Sequence, residues 1–198
     1  MRSAIEVFAL PLEAVALEIS QRLIASEALW HPLGFVSATL LKDESGTLKL
    51  HFWPKGDRRS KTPDWPIHDH AFHISSRVLV GTVGSVRYEV ASGSTHRRYS
   101  VVYSDSDSKL KPTEHLVSCR EAGRAIMQAG TKYELPIGTY HENIVPAAEL
   151  ALTLVLKSSA LYTSPNVVGT IAIPDLPLYR RSPYSIEDML TVIDKISR

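Results

Sequence analysis

Apolar residues recur at helical spacing near both ends of the chain. Between residues 12 and 24 they stand three or four positions apart with charged or amide side chains between them, which predicts an amphipathic helix that ends before His31-Pro32. Near the other end, Ser185 with Asp188 three residues later is typical of a helix start, and an apolar face follows. The apolar positions are Leu12, Val15, Ala16, Ile19, Leu23 and Ile24 in the first predicted helix, and Ile186, Met189, Leu190, Ile193 and Ile196 in the second.

The middle of the chain has a different pattern, in which short apolar runs alternate with turn residues such as Ser92-Gly93-Ser94. Runs this short, bounded by turns, predict strands. Many short antiparallel strands are typical of a barrel or a jelly roll, so we expect a mainly β fold. The predicted strands span residues 35–42, 48–53, 68–81, 83–90, 98–104, 115–119, 125–129, 133–135 and 149–156.

These segments divide the 198 residues into a single domain with additions at both ends. Residues 1–31 form the predicted N-terminal helical region, and residues 35–156 form the barrel core. Prolines punctuate residues 157–184, which predicts an extension that wraps around the core outside the central sheet. Residues 157–198 thus supply this extension and the short C-terminal helix, which we expect to dock on the barrel or on a second subunit of a homodimer.

Charge and composition narrow the expected partners. The 22 Lys and Arg residues almost balance the 21 Asp and Glu residues, and a formal charge of +1 gives no field that favours nucleic acid or a membrane surface. We therefore expect a small-molecule partner, no nucleic acid and no membrane. Cys119 is the one cysteine and cannot form an internal disulfide, and the N-terminal segment lacks the apolar core of a signal peptide. Both observations predict a cytoplasmic location.

The strongest chemical signal is a histidine pair with a third histidine about seventy residues later. His68 and His70 are separated by one residue, and on a strand such residues project from the same face, so both imidazoles can reach one ion. Pro136 and Gly138 lead into His141 like a chain that makes a tight turn before a strand. The combination predicts a metal site made of His68, His70 and His141.

The segments His68-x-His70 and Gly130-x5-Pro136-x-Gly138-x2-His141 resemble the two motifs of the cupin superfamily, whose members are double-stranded β-helix barrels of the jelly-roll type. The glutamate usual in the first motif would fall at Ile74 or Ser75, and neither is a good metal ligand. Three neutral imidazoles remain. This ligand set is associated with the cysteine dioxygenase branch of cupins and with some other cupin oxygenases.

The resemblance to that branch covers roughly residues 35–156, but several functional positions differ. The arginine that pairs with the substrate carboxylate in the family would fall near Ala38, and the pocket cysteine at Ile74 or Ser75. The Ser-His-Tyr relay of the family would fall near Leu152, Leu154 and Leu156. The resemblance therefore implies the fold and the metal ligands, and it does not imply oxidation of cysteine itself.

An ion held by three imidazoles keeps open coordination positions, which is typical of a catalytic site. The resemblance implies one divalent metal, Fe(II), and O2-dependent oxidation of a small amino-acid-like or thiol metabolite, so this substrate and O2 are the expected partners. Imidazole also suits Zn, Mn, Ni or Cu. A redox-neutral isomerase, lyase or hydrolase, and a non-enzymatic cupin that binds a small ligand, remain alternative interpretations.

Three further side chains are candidate substrate-binding residues. His73 is expected on the face opposite the paired histidines unless a bulge just before it reverses the alternation, which would also turn Arg77 toward a substrate carboxylate. The phenol of Tyr103 can donate a hydrogen bond to bound oxygen. Asp69 is expected to point away from the ligand face. His51 is interpreted as part of a strand with buried aromatic residues and not as a ligand.

Overall fold

Short helices lie at both ends of the chain in the computed structural model, which describes residues 2–56, 58–104, 107–161 and 163–196. Helix α1 spans Ala4–Ala9, α2 spans Leu12–Leu23 and α3 spans Ile186–Ile193. The apolar spacing predicts α2 and α3, and both are confirmed, whereas α1 lies within the predicted N-terminal helical region but was not predicted as a separate helix. No described helix has both the length and the apolar character of a membrane span.

Local hydrogen bonds explain where two of these helices begin. At the start of α1, Ser3 and Glu6 form a capping box in which each side chain accepts from the backbone N–H of the other residue. At the start of α3, Ser185 Oγ accepts from the Asp188 backbone N–H at 3.2 Å, as its sequence predicts. Ile24 follows α2 and is exposed, so it does not extend the predicted apolar face.

The rest of the chain is mainly β-structure in antiparallel sheets, an arrangement consistent with a β-sandwich. One sheet has six strands in the order β1-β2-β3-β9-β4-β7. The other has four, in which β5 lies between β6 and β10 and also pairs with β8. The strands are β1 (Ala28–Trp30), β2 (Val36–Asp43), β3 (Gly46–Trp53), β4 (His73–Val80), β5 (Thr82–Ser104), β6 (Asp107–Gln128), β7 (Lys132–Leu135), β8 (Tyr140–Ile144), β9 (Ala151–Ser158) and β10 (Asn166–Gly169).

The three helices cover one face of the six-stranded sheet. Alternate residues of β3 and β9 point toward them, because side chains along a strand alternate between its two faces. They pack against Val15 and Ile19 of α2 and against Met189 and Ile193 of α3. The sheet residues of this apolar layer include Leu48, Leu50, Phe52, Leu152, Leu154 and Leu156. Burial of each such side chain contributes about 1.5–3 kcal/mol, so this layer is the main core of the fold.

The four-stranded sheet corrects two predictions from the sequence. Ser92-Gly93-Ser94 was predicted to end a strand, but β5 runs through it, and a register shift against β6 between Ser92 and His96 absorbs the extra residues. The segment 157–184 was predicted to lie outside the central sheet, but β10 within it pairs with β5. Val167 and Val168 are buried there, which explains why this short stretch joins a sheet.

Candidate metal centre

The second face of the six-stranded sheet forms one wall of a cavity of about 320 Å³. The cavity walls include residues of β2, β3, β4, β7 and β9, together with segments that lie across from this sheet. All three histidines of the predicted metal site line it. A smaller cavity of about 60 Å³ shares His31, His68 and His70 with it. A volume of about 300 Å³ is the lower end of the range for small-molecule sites in proteins.

The structure brings the three predicted ligands together. One ring nitrogen of each of His68, His70 and His141 lies within 4.8 Å of the others, and these residues form a cluster able to hold one ion. His141 is on β8, as its sequence predicts. The predicted strand 68–81 instead begins at His73, so the His68-x-His70 pair lies on an extended segment before β4. Extended backbone preserves the alternation on which the prediction depends.

Backbone hydrogen bonds align the two histidine segments. His68 N–H donates to the His141 carbonyl at 3.1 Å, and His141 N–H donates back to the His68 carbonyl at 2.9 Å. Gly138 N–H donates to the His70 carbonyl at 3.0 Å. Gly138 has a φ of +75°, which glycine adopts without steric cost, so its place in the turn before His141 is explained. The site is therefore positioned by main-chain contacts between segments far apart in sequence.

The protonation of the cluster suits metal binding. His68 Nδ1–H donates to the Pro66 carbonyl at 2.8 Å, and His141 Nδ1–H donates to the Thr139 carbonyl at 3.2 Å. These bonds leave the Nε2 lone pair of each ring free for a metal. Burial lowers the pKa of His68 and His70 well below the usual range and that of His141 to about 4. All three imidazoles are therefore neutral at pH 7, which is the form that binds metals.

Neighbouring side chains hold the paired histidines in place. Asp69 is buried and points away from the ligand face, and its carboxylate accepts from the backbone N–H of Asn166 at 2.5 Å and from Asn166 Nδ2 at 2.9 Å. The ring of His70 stacks on Phe72, with 4.9 Å between the ring centroids. The donor set, its protonation and this support fit a metal ion bound through imidazole nitrogens.

Of the three candidate substrate-binding residues, only Tyr103 lines the cavity, and about half of its surface (54%) is exposed. Arg77 lies on the helix-covered face, where its Nη1 donates to the Leu10 carbonyl at 2.7 Å. His73 Nε2–H donates to Glu134 Oε2 at 2.7 Å and lies outside the cavity wall. Ile74 and Ser76 line the cavity, so the alternation along β4 directs His73 and Arg77 to its other face. Neither residue faces the site, and we do not retain them as substrate-binding residues.

Two further histidines line the cavity, and sequence reasoning missed both. His51 on β3 packs beside Phe35, with 4.6 Å between the ring centroids, and projects into the cavity. From the sequence, His51 was interpreted as part of a strand with buried aromatic residues and was not predicted to line the cavity. His31 stacks on the same Phe35, with 4.2 Å between the ring centroids. Burial lowers the pKa of both histidines well below their usual range, so both are neutral.

Alternation along β3 could have revealed these wall residues. Leu48, Leu50 and Phe52 face the helices, so the residues between them face the cavity. The same rule accounts for Ala38 and Leu154, two positions that the sequence comparison with cupins singled out. Ala38 and Leu154 belong to the helix-covered core, and the cavity is lined instead by their sequence neighbours. Those neighbours include Ser37 on β2 and Val155 on β9.

A scan against protein-family models and a search of curated proteins found no match to this chain. The site is therefore interpreted from its own residues and their geometry.

Proposed function

We propose that the chain is a mononuclear metal-dependent enzyme with a cupin-type double-stranded β-helix barrel, and that it is a non-haem Fe(II) dioxygenase of a small amino-acid-like or thiol metabolite. The observation that carries this proposal is the cluster of three neutral imidazoles on the wall of a cavity large enough for a small substrate. A structural metal site has four protein ligands and no adjoining space, whereas three ligands beside a cavity are typical of catalysis.

The side chains have two roles at such a site: some bind the ion and others surround the reacting groups. His68, His70 and His141 hold the ion from one side. When bound, Fe(II) supplies the activation of O2 and of a coordinating substrate, which side chains alone do not provide. The apolar residues of the cavity, such as Ile74 and Val155, exclude water from the reacting groups. A dioxygenase transfers both oxygen atoms of O2 to its substrate, so the overall reaction requires no external reductant.

His51 supports a second candidate function. Its neutral imidazole lines the same cavity as the metal cluster and can accept a proton at one ring nitrogen. A proton acceptor beside a metal that polarises a carbonyl is the arrangement required by a redox-neutral isomerase or lyase, with Zn or Mn as the ion. The two candidates differ in one observable, because only the first consumes O2.

The metal ligands are tested by elemental analysis of anaerobically purified protein. We expect about one iron per chain in the wild type and loss of most of this metal in His68→Ala, His70→Ala and His141→Ala, because each removes a ligand of three. His115→Ala is the matched control, since His115 is exposed on β6. Full metal content in all three ligand variants would overturn the proposal.

The reaction class is tested by O2 uptake with a panel of small thiols, amino acids and keto acids. Substrate-triggered O2 consumption by the iron-loaded wild type, absent in His141→Ala and retained in His115→Ala, supports the dioxygenase. Stoichiometric zinc or manganese without O2 uptake excludes the dioxygenase and favours the redox-neutral enzyme. A wild type that folds and binds no metal excludes both and leaves a ligand-binding protein.

A further inference from the structure

Three cationic side chains line the same cavity as the histidine cluster. Lys49 is on β3, Lys157 is on β9, and Arg181 belongs to the segment before α3. Lys49 lies opposite Val155 in the pairing of β3 with β9, which makes Lys157 its diagonal neighbour, about 7–8 Å away along the sheet. We call Lys49, Lys157 and Arg181 the cationic wall.

Lys49 has only neutral partners among the described residues. Its Nζ donates to Thr39 Oγ1 at 2.9 Å and reaches Ser37 Oγ at 3.4 Å. Burial, and then the charge of Arg181, lower its pKa to about 8. Such a group is still mostly protonated at pH 7. A half-buried ammonium with only hydroxyl partners destabilises a fold unless a negative charge reaches it.

Lys157 is in a similar position. Its Nζ lies 3.6 Å from the centroid of the Phe72 ring, in a cation–π contact, and no ion pair with a carboxylate is present within the described ranges. Burial lowers its pKa to about 8, and the charges of Lys49 and Arg181 add to this effect. Its two cationic neighbours therefore oppose its charge, and no anion of the described chain compensates.

Other polar groups of the cavity also lack partners. Ser76 Oγ, Asn143 Oδ1 and Arg181 Nε are buried and make no hydrogen bond within the part of the chain that the structure describes. Ser76 is 1% exposed and lies on the cavity wall. An unsatisfied buried polar atom destabilises the folded state. These groups, together with the cationic wall, are therefore evidence for a polar ligand that the folded chain is built to receive.

The charge balance of the cavity indicates the sign of that ligand. Asp64 is the one carboxylate among the described residues that line it, against the three cations of the wall. The neutral histidines add no negative charge, and a divalent ion at the cluster adds two positive charges. A ligand with at least two negative charges is therefore required for compensation.

We propose that the cavity binds a small dicarboxylate, with one carboxylate at the three-histidine centre and the other at the cationic wall. This inference rests on the proposed function, because the first anchor is the metal. The two anchors are separate points, so they match two separated carboxylates better than one compact phosphate group.

The distance between the anchors sets the size of the ligand. Lys157 and His70 contact the same aromatic ring, that of Phe72: the ring centroids of His70 and Phe72 are 4.9 Å apart, and Lys157 Nζ lies 3.6 Å from the centroid of Phe72. A chain of a few carbon atoms is enough to cross this gap. The spacing between the two carboxylates is therefore the expected basis of selectivity.

The test measures binding of malonate, succinate and glutarate to the metal-loaded protein by calorimetry. Butyrate and succinamide are the ligand controls, because each keeps the four carbons of succinate and removes one or both charges. We expect one member of the series to bind, and Lys49→Met and Lys157→Met each to weaken that binding about 10- to 100-fold, as for the loss of a charged hydrogen bond. Lys55→Met, which removes an exposed lysine, should leave the affinity unchanged.

Metal content, measured on the same samples, separates this inference from the proposed function. Unchanged metal content in Lys49→Met and Lys157→Met with weakened dicarboxylate binding supports the inference. Absence of binding by the whole series in a fully metal-loaded protein, or equal binding of succinate and succinamide, overturns it and leaves the metal enzyme intact. Lysine-dependent succinate binding by a protein that holds no metal overturns the two-anchor proposal together with the proposed function.

Discussion

The two faces of the six-stranded sheet have opposite chemistry. On the helix-covered face, Leu50 and Leu154 are completely buried in an apolar layer. On the cavity face, Lys49 and His51 flank Leu50 on β3, and Lys157 lies three residues after Leu154 on β9. Because one ladder of backbone hydrogen bonds supports both faces, stability supplied on one face offsets the cost of charged side chains on the other. One face of the sheet thus stabilises the fold, and the other carries the proposed ligand site.

The largest expected effect comes from the helix-covered face. Leu154→Ala should lower the free energy of unfolding by about 2–5 kcal/mol, because it leaves a cavity in a closely packed layer. Leu17→Ala is the matched control on the exposed side of α2, where the same truncation should change stability by less than about 0.5 kcal/mol. Urea denaturation measures both. A loss for Leu154→Ala no greater than that of the control would show that the two faces do not differ as described.

A change on the cavity face should have the opposite sign. Lys49→Met should raise the free energy of unfolding of the ligand-free protein by about 1–2 kcal/mol at pH 7, because it removes a half-buried charge that lies near the charges of Lys157 and Arg181. Lys55→Met, on the surface, should have no such effect. If Lys49→Met instead destabilises the protein at pH 7, the hydrogen bonds of the ammonium outweigh its burial, and the comparison of the two faces fails at this residue.

The pH dependence of the same variant sharpens this prediction. The pKa of Lys49 is about 8 in the folded protein and 10.5 when unperturbed. Between these values the unfolded chain binds more protons, so the stability of the wild type rises with pH. The gain in free energy of unfolding of Lys49→Met over the wild type should therefore be complete below pH 8 and should decrease as the pH approaches 10.5. Denaturation midpoints measured at pH 7 and pH 10 give the difference.

The smallest effect concerns the cap of α3 over the helix-covered face. Ser185→Ala should lower the free energy of unfolding by about 1 kcal/mol, because the Asp188 N–H loses its acceptor. Dicarboxylate affinity should not change, since Ser185 does not line the cavity. Ser92→Ala, at an exposed position in β5, is the control for the substitution itself. A large loss of affinity in Ser185→Ala would show that the two faces are coupled.

Local sequence patterns were enough to predict helices α2 and α3. The apolar spacing of α2 and the Ser185 cap of α3 are properties of short segments, and both predictions are confirmed. The grouping of the three histidines also follows from short motifs, because each motif includes its own turn or alternation. In contrast, α1 is a helix of 6 residues, and so short a run offers little periodicity to detect.

Other features depend on contacts that no short segment contains. The polar character of Lys49 and His51 is visible in the sequence, but the side of β3 that the helices cover is decided only when the chain folds. The same holds for β10, whose pairing with β5 is set by the distant Tyr99 and its neighbours. Arg181 is contributed by the C-terminal segment, so no local pattern links it to the lysines. Strand register and the face of each strand that is buried are therefore the features that the sequence alone did not predict.

The position of β9 determines when this protein can fold during its synthesis. β3 and β4 are not neighbours in the six-stranded sheet, because β9 lies between them and pairs with both. Until the ribosome has released residues 151–158, the first half of the chain holds two strand edges that have nothing to pair with. Such non-local pairing makes folding slow and leaves the nascent edges open to association with other chains. The cavity, and every group that lines it, therefore forms late.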